Sequence, residues 1–307
     1  MGNSLEGKVA LITGAGRGLG KSYALDMAKE GAKIVVVDLG AGKDGDGIDE
    51  EPAKQVVEEI KGMGGEAIAV FGDVGSYQDA GRTIASAVDA FGDINIVVNN
   101  AGFCRDKMIF SMSEDDFDSV VRVHLKGHFN YISQICTYWR QRAKEGKPVY
   151  GRLISTASEA FLYGSIGQAN YAAAKAGIVQ LTLVAAQAMG KYGVTANAIA
   201  PRARTVMTDE GITAQMFAKP EEGFDNFDPD NVAPFLTYLA SPMAEKISGY
   251  VFVVWGKQIT VVEKPTPGEV FINSEDARWT MEKLDAKLTP YFSGKQPIID
   301  GFAMQPF

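Results

Sequence analysis

Val9-Ala10-Leu11-Ile12-Thr13-Gly14-Ala15-Gly16-Arg17-Gly18-Leu19-Gly20 joins an apolar run to a glycine cluster, and a helical pattern follows from Leu19 to Lys29. An apolar run that does not alternate with polar residues is expected of a strand covered on both faces. Glycine lets the chain turn tightly and brings backbone amides close to a pyrophosphate, whose charge is favoured at a helix N-terminus. Gly14, Arg17, Gly18, Leu19 and Gly20 are therefore candidate dinucleotide contacts. Alone the loop is weak evidence, because glycine-rich turns are common. What strengthens it is Asp38, ending the next apolar run about 20 residues on, where a carboxylate accepts hydrogen bonds from an adenosine ribose. That carboxylate repels a 2′-phosphate, so NAD is expected rather than NADP. Arg17, a cation inside the loop, is the opposing sign.

Outward from this stretch the rhythm repeats. Apolar runs at Ile34–Val37, Ala67–Val70, Ile94–Val98, Arg152–Ile154 and Val251–Val254 alternate with helical patterns at Leu19–Lys29, Ala53–Lys61, Asp79–Phe91, Asp115–Arg142 and Ala169–Met189. Strand–helix alternation at this spacing predicts right-handed crossovers and an α/β, doubly wound parallel sheet. Residues 1–256 are expected to form one catalytic, dinucleotide-binding domain. Residues 257–307, interrupted by Pro265, Pro267, Pro290, Pro297 and Pro306, are expected to be a C-terminal extension with one helix at Asp276–Leu288. Gly40–Glu51, rich in Gly and Asp, reads as an exposed loop.

Composition sets the outer limits. The 307 residues are 46% hydrophobic and 22% charged, which is globular rather than disordered. A formal charge of −8 opposes a phosphate backbone, so no nucleic acid partner is expected. Two cysteines, Cys104 and Cys136, cannot build a disulfide framework or a structural zinc site, and no metal is expected. Met1–Glu6 lacks an apolar signal core, and the continuous apolar runs fall short of the ~18 residues of a membrane span. A soluble, cytoplasmic protein with no membrane partner follows as the expectation.

Tyr171-Ala172-Ala173-Ala174-Lys175 places a phenol and an ammonium on one helix face at i, i+4. An adjacent ammonium favours phenolate, which lowers the phenol toward the range a general acid/base needs. Ser158, just past the Arg152–Ile154 run, stands where a hydroxyl can donate to a substrate carbonyl oxygen; its plainer role is a helix cap or turn former.

Taken together, Thr13-Gly14-x-x-x-Gly18-x-Gly20, Asp73-Val74, Asn99-Asn100-Ala101-Gly102, Ser158, Tyr171-x-x-x-Lys175 and Asn197-Ala198-Ile199-Ala200-Pro201 resemble the short-chain dehydrogenase/reductase family in order and spacing over about residues 5–255. The resemblance implies a Rossmann-like sheet and hydride transfer between NAD and a secondary alcohol or ketone. It implies that Ser158 orients the substrate oxygen and Tyr171 moves its proton, while Lys175 binds the nicotinamide ribose and tunes Tyr171. It further implies that Asp73 and Val74 flank the adenine, that Asn100, Ala101 and Gly102 pass the nicotinamide ribose, and that the loop after Pro201 touches the nicotinamide.

Two positions depart from the family pattern. His124, in Val123-His124-Leu125-Lys126-Gly127-His128-Phe129, stands where many members carry an asparagine that relays protons to the lysine; it is a candidate catalytic residue or a core histidine. Arg202 replaces the usual glycine after Pro201. Both departures resemble the (3R)-hydroxyacyl-CoA dehydrogenase module of the peroxisomal multifunctional enzyme. That resemblance implies a small-molecule substrate, an acyl-CoA or a steroid, and the family implies a homo-oligomer, a tetramer or dimer. Arg105, Lys107, Arg202 and Arg204 are candidate partners for CoA phosphates or else surface charges. Met207, Met216, Phe217, Phe224 and Phe227, within 206–228, are candidate substrate-lid contacts or ordinary packing. An NADPH-dependent 3-ketoacyl carrier-protein reductase and a non-catalytic dinucleotide sensor are the competing expectations. Asp38 opposes the first, and the intact Ser158, Tyr171 and Lys175 oppose the second.

Overall fold

In the computed structural model the described residues are 3–42, 45–205, 207, 214–215, 217–265, 267–273 and 278–295. Successive residues of the first strand, β1 (Val9–Thr13), feed opposite layers: Val9 and Leu11 pack on one side, Ala10 and Ile12 on the other. That is why the run is continuously apolar, and each such side chain, fully buried, contributes about 1.5–3 kcal/mol. The strands β2 (Lys33–Asp38), β3 (Ala67–Phe71), β4 (Ile96–Asn99), β5 (Gly151–Thr156), β6 (Val194–Pro201) and β7 (Val251–Trp255) join it in parallel. With an edge strand β8 (Gln258–Val262), the order is β3-β2-β1-β4-β5-β6-β7-β8 in one 8-stranded sheet.

Helices α1 (Gly18–Lys29) and α2 (Glu51–Gly62) cover one face, and α3 (Tyr77–Phe91), α5 (Gly127–Lys144) and α7 (Ala169–Met189) the other. Helix α8 (Ala233–Ala240) joins α1 on the first face. This is the doubly wound Rossmann-like architecture expected. Strand order reverses between β1 and β4, and in such sheets ligands bind outside the carboxyl ends of the strands at that point.

Four features differ from the expectation. Gln258–Val262, assigned to the extension, is an edge strand, β8, antiparallel to β7, so Gly256 lies in the turn of a hairpin rather than at the end of the sheet. Its exposed, partly polar face gave no buried-strand pattern. The single helix expected at Asp115–Arg142 is α4 (Glu114–Val121) and α5, joined by a π-turn at Arg122–Lys126; π-turns sit preferentially at functional sites. Ala169–Tyr192 is long and apolar enough to cross a membrane by length and composition, contrary to the expectation from continuous runs. Its apolarity is spread over alanines, and it packs against β6 in the sheet core. The extension's helix, α9 (Met281–Phe292), starts later than expected, capped by Thr280, and Pro290 falls in its last turn. The short helix α6 (Ala160–Tyr163) follows β5. In the Gly40–Glu51 loop, Asp46–Glu50 is exposed as expected.

Candidate active site

The glycine loop, Asp38 and Asn100–Gly102 lie at the C-terminal ends of β1, β2 and β4, while Asp73 and Val74 follow β3, Lys175 lies on α7 and Pro201 ends β6. Gly14 has φ +64°, and a Cβ there would come within 2.7 Å of Ala101 Cα, so both the turn and the close approach of the β4 loop require glycine. Asn100 knits the two loops: its side-chain amide donates to Thr13 O and Gly14 O at 3.2 Å each, and its backbone N–H donates to Thr13 Oγ1 at 2.9 Å.

The N-terminus of α1 is open. Its N-cap residue Arg17 makes no capping hydrogen bond and the first turn holds no acidic residue, whereas Ser76 and Ser113 cap α3 and α4. The first-turn amides, which have no partner within the helix, and the positive end of the helix dipole lie beside Gly18, where the nearest neighbour of an added Cβ is a Thr205 methyl at 3.7 Å. Such a cradle fits the pyrophosphate of a dinucleotide. Gly14, Gly18, Leu19 and Gly20 would hold it there.

At the adenosine end, Asp38 accepts the Gly16 and Gly40 N–H groups at 2.7 Å each, so the carboxylate is fixed at the end of β2. Arg17 turns away to Asp49 at 3.2 Å, which occupies the cation that opposed an NAD assignment. Asp73 is ion-paired with Arg122 on the π-turn and accepts the Gly75 N–H at 2.8 Å. Val74 O accepts from the Asn130 side chain at 2.8 Å. The Asp73–Arg122 pair was not visible in the sequence.

Helix α7 brings Tyr171 and Lys175 together as the i, i+4 spacing requires: Lys175 Nζ lies 5.2 Å from the Tyr171 ring centroid. Ser158 follows β5, and its Oγ accepts the Ala160 N–H at 3.3 Å, a turn contact that serves alongside its place beside the phenol. The electrostatics differ from the local expectation. Burial raises the Tyr171 phenol; a nearby Cys104 raises it further, and the Ser158 hydroxyl lowers it. Lys175 is not among the causes, because burial also brings its own ammonium down to about 7. Its Nζ donates to Thr156 O at 2.6 Å, and none of the ion pairs among the described residues includes it.

That burial has a consequence for stability. Between pH 7 and 10.5 the unfolded lysine holds a proton that the folded one has lost, so stability rises with pH across this window and the penalty is complete below it. The interval corresponds to about 5 kcal/mol as an upper bound. Lys175→Met is therefore expected to unfold at a higher temperature than the wild type below pH 7, with the gap closing toward pH 10.5. Calorimetry across that range checks it; a variant less stable at neutral pH would refute it.

His124 is 1% exposed, in the π-turn, and its ring meets Tyr171 edge-on at 5.2 Å. Nε2 lies 2.7 Å from Phe103 O and 3.1 Å from Phe103 N. Burial and the charge of Lys175 keep the imidazole neutral. Gly102 allows this packing, since a Cβ there would sit 2.1 Å from His124 Cε1. His124 Nδ1, His128 Nε2 and the Asn99 amide are buried without a hydrogen-bond partner among the described residues. Lys175 directs its Nζ to Thr156 O rather than to either histidine.

All four basic candidates for phosphate binding are engaged by carboxylates: Arg105 with Asp115 at 2.6 Å, Lys107 with Asp116 at 2.8 Å, Arg202 with Glu159, and Arg204 with Asp225. Of the lid candidates, Phe217 packs on Phe227 at 4.7 Å, Phe224 lies under Lys257, and Met207 Sδ is 3.9 Å from Cys104 Sγ. Met216 lies outside the described residues. Cys104, beside Tyr171 and Lys175, and Glu159, next to Ser158, are site residues that the sequence motifs did not single out. Pro201 ends β6, opposite Val254 of β7.

The family model described as short chain dehydrogenase matches residues 8–215. The hydroxyacyl-CoA dehydrogenase ChsB1 of Mycobacterium tuberculosis is 45% identical over 299 residues, 95% of this chain and 91% of that protein. Peroxisomal multifunctional enzyme type 2 of Drosophila melanogaster is 41% identical over 80% of this chain, which spans 38% of that protein's length. The crystal structure of a short chain dehydrogenase from Mycobacterium avium superposes with a TM-score of 0.85 at 42% identity, over 98% of this chain and all of that one.

Proposed function

The chain belongs to the short-chain dehydrogenase family and is an oxidoreductase, and from that premise we propose that it oxidises a 3-hydroxyacyl-CoA to the 3-ketoacyl-CoA with NAD as hydride acceptor. The observation that carries the reaction is the meeting of Ser158, Tyr171 and Lys175 with an uncapped helix N-terminus at one end of the sheet. The fixed Asp38 carboxylate supports NAD, and the mycobacterial hydroxyacyl-CoA dehydrogenase supports the substrate class.

When bound, NAD supplies the hydride acceptor and a positive ring charge. The residues of this chain do the rest. The Ser158 hydroxyl donates to the substrate oxygen and fixes its direction. Tyr171, as phenolate, takes the proton of the substrate hydroxyl while the C–H hydride leaves, so alcohol becomes ketone with one proton on the enzyme. Lys175, with a pKa close to neutral, favours that phenolate when protonated and loses its proton readily. Lys175 and His124, both buried, keep their side of the proton's path away from water.

The test is a panel followed by NADH absorbance: (3R)- and (3S)-3-hydroxybutyryl-CoA and a 3-hydroxysteroid, each with NAD and with NADP. Turnover of the (3R)-thioester with NAD is expected. Turnover of the steroid alone would move the substrate class, and turnover with NADP alone would overturn the cofactor.

A further inference from the structure

Arg202 carries more contacts than its place after β6 requires. Its Nε and Nη2 bind both Glu159 oxygens, at 2.5 and 2.8 Å, with the two side chains 11% and 9% exposed. Glu159 is the covalent neighbour of Ser158. The Arg202 guanidinium also lies 4.9 Å over the Trp255 ring, Trp255 stacks on Phe227 at 5.5 Å and 19°, and Phe227 meets Phe217 at 4.7 Å. Arg204 closes the far end: its backbone N–H donates to Phe227 O at 2.7 Å, and its guanidinium donates to Phe217 O and pairs with Asp225. One line of contacts thus runs from the serine's neighbour, across the ends of β6 and β7, to the aromatic pair in the 206–228 region.

A buried ion pair is an expensive way to gain stability, because desolvation offsets most of its Coulomb attraction. What a two-pronged guanidinium–carboxylate fork supplies is direction: two parallel bonds fix the carboxylate in plane and angle. Here the fixed carboxylate belongs to the residue after Ser158, and the Ser158 hydroxyl itself meets the Ala160 N–H at 3.3 Å and the Tyr171 phenol. We propose that Arg202 is a positioning residue for the reaction: through Glu159 it holds the Ser158 hydroxyl at the substrate oxygen, and through Trp255 it registers that hydroxyl against the Phe217–Phe227 wall. The proposal rests on the dehydrogenase reading, with Ser158 as the group that touches substrate.

The test compares Arg202→Gln and Arg202→Lys in the wild-type and Ser158→Ala backgrounds, with reduction of acetoacetyl-CoA and of a 3-ketosteroid by NADH as readouts. In the wild-type background Arg202→Gln is expected to lower kcat by about 10- to 100-fold, the scale of a misplaced contact of about 1 Å, with NADH affinity little changed. In the Ser158→Ala background the same change should lower the residual kcat by less than about twofold, because the group it positions is gone. Arg202→Lys keeps the charge without the fork and should lose nearly as much as the glutamine variant. Equal fold losses in both backgrounds, or full activity of Arg202→Lys, would overturn the proposal. If Arg202→Gln does not fold, Glu159→Gln and Arg202→Lys carry the same comparison. Wild-type turnover of the steroid but not the thioester removes the acyl-CoA reading and leaves the comparison intact; turnover of neither overturns both.

Discussion

Tyr171→Phe is expected to lower kcat by about 10²- to 10⁴-fold while NAD binding stays within about twofold of the wild type. The substitution removes one oxygen and leaves the ring, which keeps its edge-on contact with His124 at 5.2 Å and its place over Lys175. The cofactor cradle is built elsewhere, from the β1 and β4 loops, so the cofactor loses little. The proton of the substrate hydroxyl, by contrast, loses its acceptor. Ser158 cannot replace it, because an unactivated hydroxyl is a poor base, and Lys175 points to Thr156 O. Because burial, with Cys104 beside it, raises the phenol, the wild-type rate should also climb with pH as the phenolate forms, and the residual rate of the phenylalanine variant should not follow that climb. Steady-state kinetics over a pH series, with calorimetric titration of NAD, separates the two quantities. A variant retaining a tenth of the wild-type kcat would remove Tyr171 from the proton's path.

The glycine loop, Asp38, Ser158 and the Tyr171–Lys175 pair were legible because each depends on local rules: a turn, a strand end, or an i, i+4 spacing. The strands were legible for a similar reason, since burial on both faces leaves an uninterrupted apolar run such as Ile34–Val37. What stayed hidden depends on contacts between distant segments. Glu159 and Arg202 are 43 residues apart, and Asp73 and Arg122 are 49 apart, with no pattern at either end to announce a partner. The same limit explains the phenol. The spacing revealed an ammonium beside Tyr171, but the burial that raises the phenol and discharges the ammonium comes from elements folded over both. Strand β8 escaped because its exposed side chains carry no core signal, although its backbone is fully registered on β7. The π-turn escaped because it contains neither Pro nor Gly within Arg122–Lys126.

Asp38→Asn is expected to lower the preference for NAD over NADP, as a ratio of kcat/KM values, by about 10²-fold. The carboxylate sits at the end of β2 with both oxygens taken by backbone amides, Gly16 and Gly40, so its charge cannot swing away from a ligand beside it. A 2′-phosphate there would meet a fixed like charge. Asparagine removes the charge and keeps one acceptor oxygen, so one of the two amides stays bonded, the other loses its acceptor, and the repulsion goes. Arg17 offers a second handle. It is held by Asp49 in an exposed pair, with side chains 47% and 49% accessible, and such pairs contribute little to stability. Asp49→Asn, added to Asp38→Asn, releases that guanidinium toward the same phosphate, and NADP use should rise again with little change in melting temperature. Kinetics with each cofactor at a fixed ketone concentration reads both steps. A loss of NAD activity with no gain for NADP would mean that Asp38 serves the loop and not the choice of cofactor, and a wild-type chain that already favoured NADP would overturn the electrostatic argument at its first step.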